Sequence, residues 1–230
     1  VAMFVLCNPH NPVGRAWDAG ELEQVARLCA RHDVLVFSDE IHGDLMMPGH
    51  RFTPFAPLGG QAGCRTIIAN GLSKTMNLAG LQLCNVVVPD AALRERIQEL
   101  SNAAGLFGVN PVSQAGFIAG WREGGPWLEA LMEHIAANRE HMIAFMAERL
   151  PRIAVMPMEA TYLSWLDLRG LEMTSDAIVE RLVQHARVRL ENGAAFGDGG
   201  DGFFRVNLAC PRAMLSEALE RIAGALGSNR

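Results

Sequence analysis

The first half of the chain alternates short, mainly apolar runs with longer segments of helical periodicity. The apolar runs cover residues 1–7, 34–37, 66–68 and 83–88 and are typical of strands covered on both faces of a sheet. Between the first two runs, Asp18 and Glu21 form a capping-box pattern ahead of apolar residues at helical spacing, which predicts a helix over 18–32. Strand, helix and strand in this order indicate a parallel sheet in an α/β domain.

A proline- and glycine-rich loop is predicted over 47–63, and helices are predicted after Asp90 and Asn110. The pattern changes after residue 124. Gly124 begins a helix of about 25 residues, ~37 Å long, which suits a spine joining two domains. Strands are then predicted over 153–156, 161–167 and 203–208, and helices over 175–187 and at the C-terminal end. We therefore predict an α/β large domain with a mainly parallel sheet at 1–124 and a small α+β domain at 125–230.

Composition excludes several classes of protein. Half of the 230 residues are apolar, one fifth are charged, and the net charge is −5, so a globular chain is expected and nucleic acid is not an expected partner. No apolar run approaches the ~20 residues of a membrane-spanning helix, and no signal peptide is recognisable, which favours the cytoplasm and no membrane partner. The five cysteines are scattered without metal-ligand spacing, so we expect reduced thiols and no metal site.

Polar residues follow the predicted strands where their carboxyl ends should meet. Asn11, Asp39 and Lys74 each come shortly after one of the first three strands, at the edge where open α/β sheets bind ligands. Arg205 lies in a late strand and alternates with apolar neighbours. Each residue alone has a simpler interpretation: a surface lysine, a helix-capping or solvated acid, a turn-forming asparagine and an exposed strand arginine.

Four segments carry a resemblance to a known family. They are NPHNPVGR at 8–15, SDEIH at 38–42, SKTMNLAG at 73–80 and FRVNLACP at 204–211. Together they resemble the signature segments of fold-type I, pyridoxal-phosphate-dependent class I/II aminotransferases. The chain is most similar to the branch of cystathionine β-lyase, cystalysin and MalY-type C–S lyases, as the C-terminal portion of a family member.

The resemblance implies a role for each candidate residue. Lys74 would bind the pyridoxal 5′-phosphate aldehyde covalently and later remove the substrate Cα proton as general base. Asp39 would keep the pyridine nitrogen protonated, and Asn11 would donate a hydrogen bond to the ring hydroxyl oxygen. His42 stands where aminotransferases usually carry a tyrosine, although a lone histidine is otherwise a surface or core residue. Arg205 would bind the substrate α-carboxylate.

Phosphate recognition follows the family pattern less closely. Ser73 offers a hydroxyl contact to the cofactor phosphate, but Gln82 stands where many family aminotransferases carry an arginine. Gly71 likewise replaces a common serine. The C–S lyase branch often lacks that arginine, so Gln82 favours a lyase over an aminotransferase. Tyr162, the only tyrosine, is expected to be structural.

The implied activity is β-elimination from a cysteine-thioether amino acid such as cystathionine, giving thiol, pyruvate and ammonia. Amino transfer to a 2-oxo acid is the alternative within the same cofactor class, and a regulatory or interaction protein on the same fold is a further one. A homodimer acting on a small amino-acid substrate is expected. The family's phosphate-binding glycine turn, ring-stacking aromatic residue and cross-dimer tyrosine precede the Asn-Pro loop, so we expect this chain to be a fragment that is inactive alone.

Overall fold

The computed structural model describes residues 1–106 and 108–227, which form two compact units. The first unit comprises residues 1–10 and 16–129, and the second comprises residues 11–15 and the chain from 130 onward. The sequence-based boundary at 124 stays a prediction. None of the helices in the described ranges is long and apolar enough to cross a membrane.

The first unit is built on a four-stranded sheet. Its strands are β1 (Met3–Cys7), β2 (Leu35–Asp39), β3 (Thr66–Asn70) and β4 (Asn85–Val87), and they lie in that order. β1, β2 and β3 are parallel, whereas β4 runs antiparallel to β3. The predicted mainly parallel sheet is therefore confirmed, with one antiparallel strand at its edge.

Helix α1 (Ala19–Arg31) begins where the capping box predicts. The Asp18 carboxylate accepts a hydrogen bond from the Glu21 amide, and the Glu21 carboxylate accepts one from the Asp18 amide. The apolar face of this helix packs on the sheet and on the next helix. The resulting core contains Leu6, Leu22, Ala26, Cys29, Val36, Phe55 and Cys64.

The loop predicted over 47–63 is only partly a loop, because it contains helix α2 (Phe55–Gln61). Two glycines and a proline give this segment weak helix propensity, so its sequence predicts no helix. Tertiary packing selects it instead: Phe55 is fully buried in the core. Gly59 lies so close to β3 that a Cβ there would be 2.8 Å from the Thr66 methyl group.

Three of the four remaining helices up to residue 149 agree with the predictions. The four are α3 (Leu72–Thr75), α4 (Ala91–Ala103), α5 (Pro111–Glu123) and α6 (Gly125–Arg149), of which the single-turn α3 was not predicted. The Asp90 and Asn110 side chains cap α4 and α5, as expected, and α6 has the predicted 25 residues.

The second unit contains a separate four-stranded sheet. Its strands are β5 (Ala154–Val155), β6 (Leu163–Asp167), β7 (Glu191–Asn192) and β8 (Phe203–Asn207), paired antiparallel in the order β5-β6-β8-β7. β7 was not predicted, because its two residues, Glu191 and Asn192, are both polar and lack the apolar run that marks the other strands. Helix α7 (Ser175–Arg181) continues into a π-helical turn at Leu182–Ala186, where the sequence predicts one uninterrupted helix over 175–187.

Helix α8 (Arg212–Leu226) closes the second unit and buries an apolar stripe. That stripe comprises Leu215, Leu219, Ile222, Ala223 and Leu226. Helix α8 follows β8 after a short connection, as the sequence predicts.

Gly193, which directly follows β7, lies in close backbone contact with the glycine-rich turn at 197–202 that precedes β8. A Cβ on Gly193 would collide with the Gly200 carbonyl oxygen and would lie 2.7 Å from the Phe203 carbonyl oxygen. The same Cβ would lie 2.8 Å from the Trp165 ring. By contrast, a Cβ on Gly199 would meet nothing within 4 Å.

We therefore expect Gly193→Ala to lower the free energy of unfolding by about 1–3 kcal/mol, because backbone atoms cannot give way as a flexible side chain can. Gly199→Ala is the control from the neighbouring segment Asp198–Gly200 and should change it by less than about 0.5 kcal/mol. Urea denaturation of the three purified chains measures both values. Equal stabilities of the two variants would contradict the close packing of Gly193 against the Gly200 and Phe203 carbonyl oxygens.

Candidate functional site

The register of the parallel strands aligns three polar strand ends at one edge of the first unit. Cys7 is paired with Asp39, and Asp39 with Ala69. The backbone continues this alignment beyond the strands, because the Asn8 amide donates to the Asp39 carbonyl at 2.9 Å and the Glu40 amide donates to the Ala69 carbonyl at 2.8 Å. The carboxyl ends of β1, β2 and β3 therefore meet at one edge, as predicted.

Asp39 presents a carboxylate at this edge. The residue is half-buried, and its Oδ1 accepts a hydrogen bond from the Ile41 amide at 3.2 Å. Its Oδ2 accepts no hydrogen bond from the residues that the structure describes. No helix begins at Asp39, so the helix-cap alternative is wrong. One carboxylate oxygen is thus fixed by the turn while the other can bind a cationic group.

Glu40, the neighbouring acid, has a different role. It is buried, and its Oε1 accepts hydrogen bonds from the Ser38 hydroxyl at 3.0 Å and the Phe55 amide at 2.9 Å. Burial raises the pKa of this carboxyl, the two hydrogen bonds oppose the rise, and the nearby Asp39 charge adds to it. Glu40 thus fastens the start of α2 to the end of β2.

His42 is only 3% exposed, so it is not a surface histidine. It follows Asp39 by three residues in the turn that leaves β2, where the His42 carbonyl accepts a hydrogen bond from the Leu45 amide at 2.9 Å. Its proposed contact with a cofactor ring stays a prediction.

Lys74 lies on α3, just beyond β3. It is the only lysine among the 230 residues, although the chain contains nineteen arginines, because lysine and arginine together number 20. Its side chain is exposed and makes no hydrogen bond or ion pair with any residue in the described part of the chain. Ser73 beside it is half-buried. A single primary amine at this edge is what imine chemistry requires, since a guanidinium cannot perform it.

The segment that carries Lys74 packs closely against α5. A Cβ on Gly120 would lie 2.6 Å from Leu72 Cδ1, and a Cβ on Gly116 would lie 2.8 Å from Leu81 Cδ1. Gly71 adopts an extended backbone in which a Cβ would lie 3.3 Å from the Cys84 Cα. This close approach fits glycine at 71, whereas the serine usual in the family would need its neighbours to move.

Arg205 and Asn11 are brought together in the second unit. The Arg205 Nη1 donates to the Asn11 Oδ1 at 2.8 Å, although 194 residues separate them. The guanidinium carbon lies 4.9 Å from the centre of the Phe196 ring, and Nη2 lies 3.9 Å from a Glu191 carboxylate oxygen. The Arg205 side chain is only 22% exposed, so the interpretation as an exposed strand arginine is wrong.

The neighbourhood of Arg205 also includes the single tyrosine. Tyr162 is half-buried; burial raises the pKa of its hydroxyl, and the Arg205 charge opposes the rise. The Asn-Pro loop is fastened beside them, since the Gly14 carbonyl accepts hydrogen bonds from the Glu159 amide at 2.8 Å and the Ala160 amide at 3.0 Å. Gly14 has φ +72°, which favours glycine there.

Sequence analysis missed Asn138, a fully buried residue of α6. Its Nδ2 donates to the carbonyls of Leu208 at 2.8 Å and Cys210 at 2.9 Å, while its Oδ1 accepts from the Arg212 Nε at 2.7 Å. These bonds fix the chain immediately after β8, the strand that carries Arg205. A polar residue within the apolar stripe of α6 was the available signal.

The chain belongs to the aminotransferase class I and II family, whose model matches residues 1–222. Among curated proteins, it is 39% identical to cystathionine beta-lyase PatB of Bacillus subtilis over 98% of this chain and 58% of that protein. It is 31% identical to the protein MalY of Escherichia coli over 99% of this chain and 58% of that protein. The chain thus spans about 58% of the length of these relatives.

The chain is also similar to solved structures that contain the cofactor. Cystalysin from Treponema denticola, described as containing a pyridoxal 5′-phosphate cofactor, superimposes with a TM-score of 0.93 at 35% identity, over 97% of this chain and 57% of that one. The predicted fold class, that of pyridoxal-phosphate transferases, is therefore confirmed.

The donor groups of the two units fit pyridoxal phosphate chemically. Lys74 supplies an unpaired primary amine, and Asp39 supplies a carboxylate oxygen that accepts no hydrogen bond within the described ranges. In the second unit, Arg205 fixes the Asn11 oxygen, so that the Asn11 amide nitrogen remains the donor. These are the amine, anion and amide that the cofactor aldehyde, pyridinium and ring oxygen would require.

The buried Glu40 carboxyl predicts a pH dependence of stability. As pH rises past its ordinary value of 4.5, the unfolded chain loses this proton while the folded chain keeps it, so stability falls until the pH passes the raised folded pKa. Glu40→Gln keeps both hydrogen-bond acceptor contacts without a charge. We therefore expect the stability of this variant relative to the wild type to increase as pH rises above about 4.5.

Urea denaturation from acidic to neutral pH measures that difference. Glu99→Gln is the control, because the Glu99 side chain is 69% exposed and pairs only with Arg96, so its difference from wild type should stay within about 0.5 kcal/mol throughout. A difference for Glu40→Gln that does not change with pH would contradict the buried, proton-retaining carboxyl.

Proposed function

We propose that the protein carrying this chain is a pyridoxal-phosphate-dependent C–S β-lyase that converts cysteine-thioether amino acids such as cystathionine into thiol, pyruvate and ammonia. The similarity to a cystathionine beta-lyase and to cystalysin supports this proposal. The single observation that carries it is the lone lysine of the chain, unpaired in the described part, at the sheet edge that also carries Asp39.

Lys74 performs two tasks in this proposal. Its amine attaches the cofactor covalently, and the same amine, once displaced by the amino group of the substrate, takes the proton from the substrate Cα. Bound pyridoxal phosphate supplies the electron sink that stabilises the negative charge left by that proton. Because Lys74 has no competing ion pair among the described residues, its Nζ is available for both tasks.

Asp39, His42 and Ser73 hold the cofactor in the first unit. The Asp39 carboxylate would keep the pyridine nitrogen protonated through a charge-assisted hydrogen bond, which is stronger at a half-buried site than in open solvent. The buried His42 ring contacts the ring oxygen, and the Ser73 hydroxyl donates to the phosphate. In the second unit, Asn11 donates to the ring oxygen.

Arg205 binds the substrate α-carboxylate. Its guanidinium is oriented by Asn11 on one side and by the Phe196 ring on another, which restricts the side chain before a substrate arrives and reduces the entropy lost on binding. Orientation of the carboxylate fixes the direction of the Cα–H bond towards the base.

The overall reaction is balanced by one molecule of water. The Cα–H bond breaks to Lys74, the Cβ–S bond breaks, and the sulfur leaves as a thiolate that takes up a proton. The released unsaturated amine is hydrolysed to pyruvate and ammonia. We further propose that the protein works on these small amino acids as a homodimer in the cytoplasm.

Amino transfer to a 2-oxo acid is a second candidate function, which the aminotransferase class I and II description of the family supports. It would use the same proton removal by Lys74, but it would break no C–S bond. Gln82, which stands in place of the arginine found in many family aminotransferases, favours elimination.

The covalent role of Lys74 is tested by reductive trapping. Incubation with pyridoxal phosphate and cyanoborohydride should label one internal peptide within these 230 residues of the wild-type protein, the peptide that contains Lys74, because this chain has no other lysine. Lys74→Ala and the charge-preserving control Lys74→Arg should both lose this label and the visible absorbance of the lysine-bound cofactor. Persistence of that absorbance in Lys74→Ala would refute the assignment.

Elimination and transfer are separated by their products. With cystathionine and no added oxo acid, we expect thiol and pyruvate in equal amounts, and at least about 100-fold less in Lys74→Arg. Release of neither product, together with conversion of an added 2-oxo acid to its amino acid, would favour amino transfer.

A further inference from the structure

The single helical turn that carries Lys74 depends on contacts outside itself. Helix α3 contains only four residues, Leu72–Thr75, and an isolated helix of that length has no stability of its own because nucleation is unfavourable. Its orientation, and with it the direction of the Lys74 side chain, must therefore be set by its neighbours.

Thr75, the residue after Lys74, makes one of these contacts with a side chain of another segment. It is 1% exposed, and its hydroxyl donates a hydrogen bond to Asp44 Oδ2 at 2.9 Å. A hydrogen bond to a carboxylate is about twice as strong as one between neutral groups, and a buried hydroxyl that loses its partner is costly. The bond therefore restrains α3 against the turn that carries Asp44.

Asp44 is itself fixed to the end of β2. It follows Asp39 by five residues, in a tight turn where the Gly43 amide donates to the Glu40 carbonyl at 2.9 Å. The next residue, Leu45, is fully buried. Asp44 is exposed apart from this contact, so no packing role accounts for its carboxylate.

We propose that Asp44 and Thr75 are positioning residues for Lys74: their hydrogen bond joins the turn that follows Asp39 to the helical turn that presents the lysine. This inference rests on the proposed covalent role of Lys74. It adds that one side-chain bond, between the turn after β2 and the helical turn after β3, helps to maintain the relative placement of the amine and the Asp39 carboxylate. Neither residue takes part in proton transfer.

The experiment compares variants of the protein that carries this chain. Thr75→Val is isosteric but lacks the hydroxyl, and Thr75→Ser retains it. Asp44→Ala removes the acceptor at an exposed position and leaves no cavity, so it keeps the test valid if Thr75→Val folds poorly. Thr66→Val is the matched control, because Thr66 is a buried threonine of β3 that takes no part in the site.

The first measurement is the rate of cyanoborohydride trapping of pyridoxal phosphate on Lys74, followed by mass spectrometry and compared with the rate in denaturant. Thr75→Val and Asp44→Ala should each lower the native rate about tenfold. Their kcat for pyruvate release should fall by about 10- to 100-fold with KM within about twofold, since a misplaced base affects the reaction more than substrate binding. Thr75→Ser should restore both rates.

The double variant separates a positioning bond from two independent effects. Thr75→Val with Asp44→Ala should be no slower in trapping than either single variant, because the same bond is lost in all three. Trapping and kcat at the wild-type level in both single variants, or a loss equal to that of Thr66→Val, would overturn the positioning role. Absence of Lys74 labelling in the wild-type protein would overturn the proposed function and this inference together.

Discussion

The in-register parallel pairing of β1, β2 and β3 is the constraint on which the candidate site depends. Side chains alternate between the two faces of a strand. A slip of β2 by one residue would therefore place Ser38 where Asp39 now lies and turn the Asp39 carboxylate to the other face of the sheet. The register is held by apolar residues, since Leu6 and Val36 are buried in the same core. Burial of hydrocarbon thus determines where the carboxylate lies, although it has no chemical part in the reaction.

Local signals predicted most of the fold. Helices α1, α4 and α5 begin after capping side chains, and α6 begins at Gly125 and Pro126, so their starts could be placed without knowledge of their neighbours. Helix α2, the single turn α3 and the two-residue strand β7 have no such signal. They are selected by contacts with distant residues, as the burial of Phe55 in a core formed by the sheet and α1 shows.

The same distinction applies to the candidate site: some of its residues could be proposed from the sequence, but their side-chain partners could not. Lys74 and Asp39 could be proposed because each follows a strand, and the fact that Lys74 is the only lysine was available from composition alone. The partners of site residues could not be predicted: Arg205 meets Asn11 across 194 residues, and Thr75 meets Asp44 across 31. Hydrogen bonds between distant side chains leave no periodic pattern, so only the folded chain reveals which of several polar residues are paired.

The path of the Asn-Pro loop has a consequence for dissecting the protein. Residues 11–15 belong to the second unit, yet both flanks belong to the first, where the Trp17 amide donates to the Asn8 Oδ1 at 3.3 Å. The units are consequently not consecutive stretches of sequence. A second unit excised at residue 130 would lose Gly14, and the amides of Glu159 and Ala160 would lose their shared acceptor. A faithful excision would need residues 11–15 supplied as a separate peptide or joined by circular permutation.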